Sequence, residues 1–519
     1  MIYFINFLIY AITYCYLLTA LIVFFHPITR IVSIIIIFLS ALLAVKSAVL
    51  SCFSIFKSSP QLKAVPQVWQ YLLLFLLSAW TYVVICRPTI DTDANIYHLP
   101  LALLMNYSVW YPGIGKLSLV FSYPNGTSVL ASVFTSFEVI GFENIPGYLT
   151  WLLMGGGIFV YLTEKKIRFL NVLLVTLLFL LTPVLFWQSY NMGTDLPCSC
   201  FMLFGLLALC DKKYEDAALF FALSSLFKIL GIIAYLFMVG YLFIMHFSRR
   251  ERINWQGLKI ILSFVLFIVY LVRMYVATGN PIYPALPLKL APWGINIEVQ
   301  RGIFNTIRVY ARVERSLLGF LIFLKDFLFF PQRVHGEFWF WPFSAACLIS
   351  CIFLTIKNKL FSKINSNLLA TMFLVLITFA IWFIGSPLFR FLAGILMFLT
   401  LKSFVLSHEF NLPHHYLGAI YVSLYVTLLL FVINAGQHIK NDVIPLVLAS
   451  PEHIRQLTFY SKDLVYTVKT KDGFEYSKAT ARYCGRNIPP CIHAYAGDSE
   501  ERLIQDYKKY NQRFLTIRR

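Results

Sequence analysis

Long apolar runs recur along most of this chain, and they limit the folds that it can adopt. A helix that crosses the hydrocarbon core of a bilayer needs about 20 consecutive apolar residues, and the sequence has about thirteen candidates. The candidate spans are residues 2–25, 31–53, 67–86, 146–162, 169–188, 196–210, 216–227, 229–246, 257–277, 338–356, 367–385, 388–405 and 415–434. The sequence therefore predicts an all-α polytopic membrane protein built as a bundle of transmembrane helices.

The composition excludes the main alternatives to a membrane protein. Of the 519 residues, 59% are hydrophobic and 13% are charged, whereas soluble proteins have about 45–50% apolar and about 25% charged residues. A water-soluble globule cannot bury this much apolar surface, and disordered chains, coiled coils and collagen have different compositions. The cysteines form no CxxC pair and no Cys/His cluster with the spacing of a zinc site, so no metal site is predicted.

The excess of basic over acidic residues indicates an orientation in the membrane. The net charge is +19, and no basic run interleaved with aromatic residues resembles a nucleic-acid surface, so membrane lipids are the expected partners of this charge. A cytoplasmic N-terminus places most basic clusters inside, as the positive-inside rule requires. These clusters are Lys57 and Lys63; Lys165, Lys166 and Arg168; Lys212 and Lys213; Arg249, Arg250 and Arg252; and Lys357, Lys359 and Lys363.

One apolar segment, residues 127–142, decides the count of spans. If it crossed the membrane, the basic cluster that begins at Lys165 would lie outside. We therefore predict that it lies along the outer interface as an amphipathic helix. With about thirteen spans, the C-terminus is then extracytoplasmic.

The predicted organisation has two parts. Residues 1–434 form the transmembrane domain, with long outside loops at 87–145 and 278–337, and residues 435–519 form a small extracytoplasmic C-terminal lobe. Alternating apolar residues followed by Lys471-Asp472-Gly473 predict a β-hairpin in this lobe.

The lobe also contains two cysteines in a polar setting. Cys484 and Cys491 flank a short stretch with one glycine and two prolines, which favours a turn that brings the sulfurs together. An extracytoplasmic position favours oxidation, so we predict a disulfide between them. The alternative is two independent thiols in a cytoplasmic tail.

Titratable groups cluster where the first outside loop leaves a span. Asp91 and Asp93 lie near Tyr97 and His98, and a carboxylate that loses hydration at an apolar boundary gains the raised pKa of a useful general base. On a helical turn Asp93 and Tyr97 share a face, which suits Tyr97 to positioning a substrate. The alternative is that Asp91 or Asp93 only caps the helix that begins near Ala94.

The order of motifs resembles the GT-C superfamily of polytopic glycosyltransferases, and in particular an uncharacterised bacterial branch of it. The resemblance covers roughly residues 67–434 and departs from the family pattern in one respect, since two aspartates, Asp91 and Asp93, compete for one position. The stretches that carry it are Asp93–Pro100 (D-x-x-x-Y-H-L-P), Tyr111–Gly115, Tyr123–Asn125, Thr194–Pro197, Leu226–Lys228, Thr278–Pro284 and Pro387–Phe391.

The resemblance implies an enzyme that moves a sugar from a polyprenyl-phosphate carrier to a surface glycan or lipid-linked acceptor, such as an O-antigen, lipopolysaccharide or capsule unit. It places the reaction at the outer face of a bacterial inner membrane and the catalytic Asp in the first outside loop, where Asp93 is the expected base. No cofactor is identified, although the reaction is compatible with a divalent metal.

Two further residues are expected to assist the base. Asp195, in the Thr194–Pro197 stretch, and His98 are candidates to orient the acceptor or to tune the pKa of Asp93. Asp195 is alternatively a helix cap, and His98 alternatively forms only a hydrogen bond within its loop.

Three residues are expected to bind or position the donor. Lys228 lies between two apolar runs and Arg390 follows Pro387 at a membrane end, so both are candidates to hold the donor phosphate. The alternative role of Lys228 is to extend its ammonium to the nearby membrane interface, and that of Arg390 is to anchor its helix at the interface. Asn280 is a candidate for positioning the substrate, or simply forms a rigid turn with Pro281.

Two rival functions remain open at this stage. A polysaccharide polymerase predicts chemistry dominated by arginines of the second outside loop, where Arg308, Arg312 and Arg315 form one basic stripe. A non-enzymatic flippase or transporter predicts internal repeats and polar residues at mid-membrane. The sequence shows neither feature clearly, and its polar motifs lie at the outer ends of spans.

Overall fold

A computed structural model provides the structure of the chain. It describes residues 2–53, 55, 78–84, 87–89, 94, 98–117, 123–248, 257–283, 287–301, 318–319, 322, 366–385, 393–409, 414–440, 466–471, 474–479, 491–492, 505 and 509. The predicted span 338–356 lies outside these residues, and span 67–86 is described only at residues 78–84, which are helical.

The described part of the chain is overwhelmingly helical. The α-helices are α1 (Ile2–Ile22), α2 (Arg30–Leu50), α3 (Leu99–Tyr107), α4 (Gly126–Thr135), α5 (Ile145–Glu164), α6 (Phe169–Leu180), α7 (Pro183–Gln188), α8 (Asp195–Cys210), α9 (Tyr214–Ser225), α10 (Ile229–Phe247), α11 (Leu258–Thr278), α12 (Ser366–Gly385), α13 (Ala393–Glu409) and α14 (His414–His438). Short 3-10 helices lie at Ile114–Lys116 and Phe142–Asn144.

Five segments of the described residues are long and apolar enough to cross a membrane. They are Ile2–Ile22, Arg30–Leu50, Phe142–Glu164, Ile229–Phe247 and Leu258–Thr278. A spanning helix satisfies every backbone hydrogen bond within itself, which is why long apolar runs become helices in lipid. The coarse prediction of a helical membrane protein therefore holds, while the count of about thirteen spans stays a prediction.

The remaining apolar helices are shorter and lie deep in the bundle. Every residue of α8, Asp195–Cys210, is buried, and α9 is nearly as enclosed. These two helices pack against each other, with the α9 ring of Phe221 occupying the space beside Gly205 of α8. They form the inner core around which the longer helices pack.

The predicted span 169–188 is wrong as a single helix. Helix α6 ends at Leu180 and α7 begins at Pro183. Proline has no N–H to donate and disfavours a helical conformation in the residue before it, so the helix breaks there despite the apolar sequence. The carbonyl of Leu180 at the break accepts a 2.9 Å hydrogen bond from Nε1 of Trp151.

The amphipathic interfacial helix predicted at 127–142 is also wrong. Helix α4 covers only Gly126–Thr135, about 15 Å, so it is too short to span, as expected. However, all of its residues except Phe134 are buried, so α4 lies inside the protein and not along a membrane surface. Its serines and threonines bond to the protein; Thr135 Oγ1, for example, donates to Asn106 Oδ1 at 2.7 Å.

Helix ends meet at two opposite ends of the bundle. At one, Asp211 after α8 contacts Lys165 after α5 at 3.1 Å and Lys402 of α13 at 3.3 Å. We call this the Asp211 end. The predicted inside cluster that begins at Lys165 and the cluster Lys212–Lys213 both lie there.

At the other end, the described parts of the two predicted outside loops lie together. Trp110 N donates to Val23 O after α1 at 2.7 Å, and Gly113 N donates to Val276 O of α11 at 2.9 Å. We call this the Trp110 end. Helices α5 and α8 both begin there and finish at the Asp211 end, so the segments predicted to be outside share one end.

The C-terminal region contains a small sheet. Strands β1 (Tyr466–Lys471) and β2 (Phe474–Ala479) pair antiparallel, with Lys471 opposite Phe474. The predicted hairpin is therefore confirmed. Strand β3, Cys491–Ile492, pairs parallel to β2. The predicted lobe 435–519 is otherwise largely outside the described residues, as are Cys484 and the side chain of Cys491, so the disulfide stays a prediction.

Candidate functional site

An ion pair joins two of the predicted site residues. Asp195 is the first residue of α8, and Lys228 lies in the connection between α9 and α10. The ammonium Nζ of Lys228 is 2.6 Å from Oδ1 of Asp195, and the two side chains are 19% and 5% exposed. The helix cap position belongs to Thr194, so the position of Asp195 favours the ion pair over the capping role.

A glutamine that was not predicted from the sequence donates a hydrogen bond to the carboxylate of this pair. Nε2 of Gln188, the last residue of α7, donates to Oδ2 of Asp195 at 2.7 Å. Its Oε1 accepts a 2.8 Å hydrogen bond from the backbone N–H of Leu196. Both carboxylate oxygens of Asp195 are thereby engaged. The break before Pro183, which starts α7, is the sequence signal that could have drawn attention to this segment.

The first turn of α4 bridges the two segments that carry the ion pair. Gly126 N donates to Leu226 O at 2.9 Å, two residues before Lys228. Thr127 Oγ1 donates to Gly193 O at 2.8 Å, two residues before Asp195. A Cβ at Gly126 would lie 2.9 Å from both Leu226 O and the Phe227 ring, so only glycine allows this close approach.

His98 contacts the same turn of α4. Its ring nitrogen Nδ1 lies 3.3 Å from Oγ of Ser128, and the imidazole is buried. His98 is also the residue that precedes α3. The structure thus brings His98, Asp195 and Lys228 to one region through a single turn of α4, although they come from three separate parts of the chain.

The described residues on either side of Asp91 and Asp93 lead to this region. Thr89 Oγ1 accepts a 3.2 Å hydrogen bond from the N–H of Met192. Ala94 packs in a small buried cluster that includes the same Met192. Asp91, Asp93 and Tyr97 themselves lie outside the described residues, as does Arg390, and their assigned roles stay predictions.

Asn280 belongs to a turn in the second loop. Its Oδ1 accepts from Ile282 N at 3.1 Å, and its Nδ2 donates to Gln300 Oε1 at 3.0 Å. These bonds favour the rigid-turn interpretation over substrate positioning. The phenol of Tyr283 in this turn stacks on Tyr123 before α4, with ring centroids 6.2 Å apart. Burial raises the pKa of both phenols above the ordinary value for tyrosine, because an ionised phenolate would lose its hydration there.

A buried arginine, Arg87, lies two residues before Thr89, which contacts the segment leading to Asp195. The guanidinium carbon of Arg87 lies 4.4 Å from the ring centroid of Tyr190, between α7 and α8. The Arg87 carbonyl accepts from Asn144 Nδ2 at 2.9 Å, and Thr89 N donates to Glu143 Oε1 at 3.2 Å. The sequence analysis missed these residues, because a lone arginine after an apolar run is typical of a membrane boundary.

The arrangement has the elements of acid–base and phosphate chemistry. A buried ammonium is costly unless it is paired, and here the carboxylate of Asp195 pairs it. Such a pair presents positive charge beside a carboxylate, and the same turn of α4 that contacts its two segments also contacts the imidazole of His98. Among the described residues no group of three His, Cys, Asp or Glu side chains is placed to hold a metal ion.

Comparison with known proteins gives a family but no activity. The model of a family described as a domain of unknown function, DUF8201, matches residues 3–397. No curated protein and no solved structure gives a significant match. The matched range includes the ion pair, the first outside loop and Arg390.

Proposed function

The chain belongs to the DUF8201 family. From the resemblance of its motifs to the GT-C superfamily, together with the arrangement of its own residues, we propose that it is a membrane glycosyltransferase. It moves a sugar from a polyprenyl-phosphate carrier to a surface glycan or lipid-linked acceptor, such as an O-antigen, lipopolysaccharide or capsule unit. The reaction takes place at the outer face of a bacterial inner membrane, with the N-terminus in the cytoplasm and the C-terminus outside.

The observation that carries this proposal is the Lys228–Asp195 pair. The pair lies 2.6 Å apart at the start of α8, in the region where His98 and the flanks of Asp93 meet. Transfer from a lipid phosphate requires positive charge on the leaving phosphate and a base for the acceptor hydroxyl. A cation held at the start of a buried helix, beside the loop with the candidate base, supports both requirements.

The reaction is a direct displacement with inversion at the anomeric carbon. Asp93 accepts the proton of the acceptor hydroxyl while the oxygen of that hydroxyl attacks the anomeric carbon. The bond from the anomeric carbon to the phosphate oxygen breaks in the same step. The phosphate leaves with the bonding electrons, and the positive charges of Lys228 and Arg390 stabilise it. His98 and Asp195 are positioning residues for the acceptor and for Lys228, and no redox cofactor is needed.

The test replaces the candidate bases in cells that express the protein. Surface glycan and lipid-linked intermediates are extracted from wild-type, Asp93→Asn and Asp91→Asn cells and compared by mass spectrometry. We expect Asp93→Asn to abolish the addition of one sugar while the protein level stays the same, because an amide cannot accept the proton. Asp91→Asn is the matched control and is expected to retain most activity.

Other outcomes identify the rival functions. If Asp91→Asn is the inactive variant, the base is wrongly assigned. A variant whose surface glycan is shorter but still contains every sugar indicates a polymerase, provided that glycan length also depends on Arg308, Arg312 and Arg315. If both aspartate variants make unaltered glycan, the glycosyltransferase proposal fails.

A further inference from the structure

Another buried cation, Arg273 of α11, is not part of the site described above. Its guanidinium is fully buried, and Nε, Nη1 and Nη2 have no hydrogen-bond partner in the part of the chain that the structure describes. Two lysines enclosed by this bundle, Lys228 and Lys259, have carboxylate partners in Asp195 and Asp216. Arg273 differs from both.

Aromatic groups surround the guanidinium. Its central carbon lies 5.2 Å from the ring centroid of Trp110 and 5.9 Å from that of Tyr16 of α1. Tyr270 lies one helical turn before Arg273, and both Tyr270 Oη and Tyr16 Oη lack hydrogen-bond partners among the described residues. The ring of Trp110 is held there by its Nε1–H, which donates to Arg273 O at 3.1 Å.

These groups form an incomplete set, because they supply hydrogen-bond donors, neutral phenol oxygens and one positive charge but no anionic acceptor. Cation–π contacts offset part of the cost of burying the guanidinium, but among the described residues its N–H groups and the two phenol O–H groups have no acceptor. A buried, unpaired charge is strongly unfavourable. The missing component is therefore an anion with several acceptor oxygens, which matches the planar fork of a guanidinium.

The position in the fold indicates which anion fits. Arg273 lies about 7.5 Å along the helix axis from Thr278, the end of α11, near the Trp110 end of the bundle. The phosphate groups of membrane lipids lie just beyond the hydrocarbon core, so a lipid-borne phosphate is an anion available at this end of α11. We propose that Arg273, with Tyr16 and Tyr270, forms a second site for a phosphate group, under the segment that carries Trp110.

This site has a specific consequence for the reaction, and that consequence rests on the proposed function. With Lys228 and Arg390 holding the donor phosphate, Arg273 provides a separate position for the phosphate or pyrophosphate of a lipid-linked acceptor. The chain then acts on two carrier-bound substrates at once. The phosphate site itself rests on Arg273, Tyr16, Tyr270 and their position in the fold, and it does not depend on the proposed function.

The test measures both stability and the number of bound phosphates. Purified full-length protein in an uncharged detergent is compared with Arg273→Met, Tyr16→Phe and Tyr270→Phe. Without ligand, Arg273→Met is expected to unfold at the wild-type temperature or above it, because it removes an unpaired buried charge. Lys259→Met is the matched control and is expected to unfold at a lower temperature, because it leaves Asp216 unpaired.

Native mass spectrometry then counts farnesyl phosphate molecules per chain, with farnesol as the uncharged control and inorganic phosphate as the soluble source. Wild-type protein is expected to bind one farnesyl phosphate more than Arg273→Met at the same ligand concentration. The reason is that the variant lacks the charge and is expected to bind at this site roughly tenfold to a hundredfold more weakly than wild type. Each Tyr→Phe variant is expected to weaken binding without lowering stability.

The arms separate the possible outcomes. Binding of farnesyl phosphate in excess of inorganic phosphate supports a lipid-borne phosphate, and equal binding of both supports a soluble phosphate at the same site. Equal stoichiometry in wild type and Arg273→Met, or an unliganded Arg273→Met that unfolds well below wild type, overturns the proposal. Because Asp93→Asn keeps Arg273, loss of transfer with unchanged phosphate binding distinguishes this site from the proposed catalytic one.

Discussion

The ammonium of Lys228 lies 2.6 Å from the carboxylate of Asp195, and Gln188 holds the other carboxylate oxygen at 2.7 Å. These residues come from the end of one helix, the start of another and the connection between two more. The ion pair reduces the cost of burying the two charges, because the ammonium of Lys228 and the carboxylate of Asp195 compensate each other. It also fixes the start of α8 against the connection between α9 and α10.

Breaking the pair is expected to destabilise the protein. Asp195→Asn leaves the ammonium unpaired and Lys228→Met leaves the carboxylate unpaired, so each lowers the free energy of unfolding by about 3–5 kcal/mol. The double variant is expected to recover most of that loss, because no lone charge remains. Chemical unfolding in detergent micelles measures all three.

The matched control is the buried pair at the Asp211 end. Lys259 Nζ lies 2.6 Å from Asp216 Oδ1, with side chains 5% and 1% exposed. A double variant Asp216→Asn/Lys259→Met is expected to keep sugar transfer, whereas Asp195→Asn/Lys228→Met is expected to lose it. If both stable double variants transfer sugar normally, the pair at Lys228 is purely structural.

Arg390 is expected to contribute to donor binding. Arg390→Ala removes a charge-assisted contact worth about 1.5–3 kcal/mol at a partly dry site, which is roughly tenfold to a hundredfold in donor use. Transfer measured against donor concentration in membrane vesicles checks this. Arg390→Lys should recover only part of the activity, because an ammonium cannot make the bidentate contact. Donor kinetics unchanged in Arg390→Ala would remove this residue from the site.

Adding one methyl group at Gly126 is expected to disturb the close packing of α4 against Leu226. Gly126→Ala places a Cβ 2.9 Å from a backbone oxygen and an aromatic ring, so it is expected to cost about 1–3 kcal/mol and to lower transfer by moving Lys228. Gly240→Ala in α10 is the control, because nothing lies within 4 Å of its Cβ. That variant is expected to be neutral or stabilising by up to about 1 kcal/mol. Similar unfolding curves for the two variants would contradict the tight contact.

The orientation of the chain is testable with fused reporters. An alkaline phosphatase, which is active only outside the cytoplasm, is expected to be active after Lys440 and inactive after Lys212. The reason is that basic connections stay in the cytoplasm, and Lys212 lies beside Asp211 and Lys165. The opposite pattern would invert the topology and place the Trp110 end in the cytoplasm.

The tail cysteines are expected to form a disulfide. In the extracytoplasmic space, Cys484 and Cys491 close a short loop that contributes about 2–3 kcal/mol of local stability. Thiol labelling of the denatured protein without reductant is expected to leave both unmodified, and labelling after reduction to modify both. Cys52, which is a free thiol, is the internal control. Full labelling of both tail cysteines before reduction would show that no disulfide is present.

The helices of this protein could largely be predicted from the sequence. The apolar run 229–246 becomes Ile229–Phe247, and 146–162 becomes Ile145–Glu164. These predictions succeed because a helix is the local structure that satisfies its own backbone in lipid. The hairpin after Tyr466 was predictable for a similar reason, since strand alternation and a two-residue turn are both local signals.

The tertiary structure decided which side chains meet and which faces are buried. Hydropathy does not separate a helix face on lipid from one on protein, because both surroundings are apolar. For that reason the burial of α4 was missed, although its position was predicted. Lys228 and Asp195 were each recognised as candidates from the sequence. Their pairing, the hydrogen bond from Gln188 to Asp195 and the burial of Arg273 among aromatic rings depend on contacts between segments distant in the chain, which only the packed bundle determines.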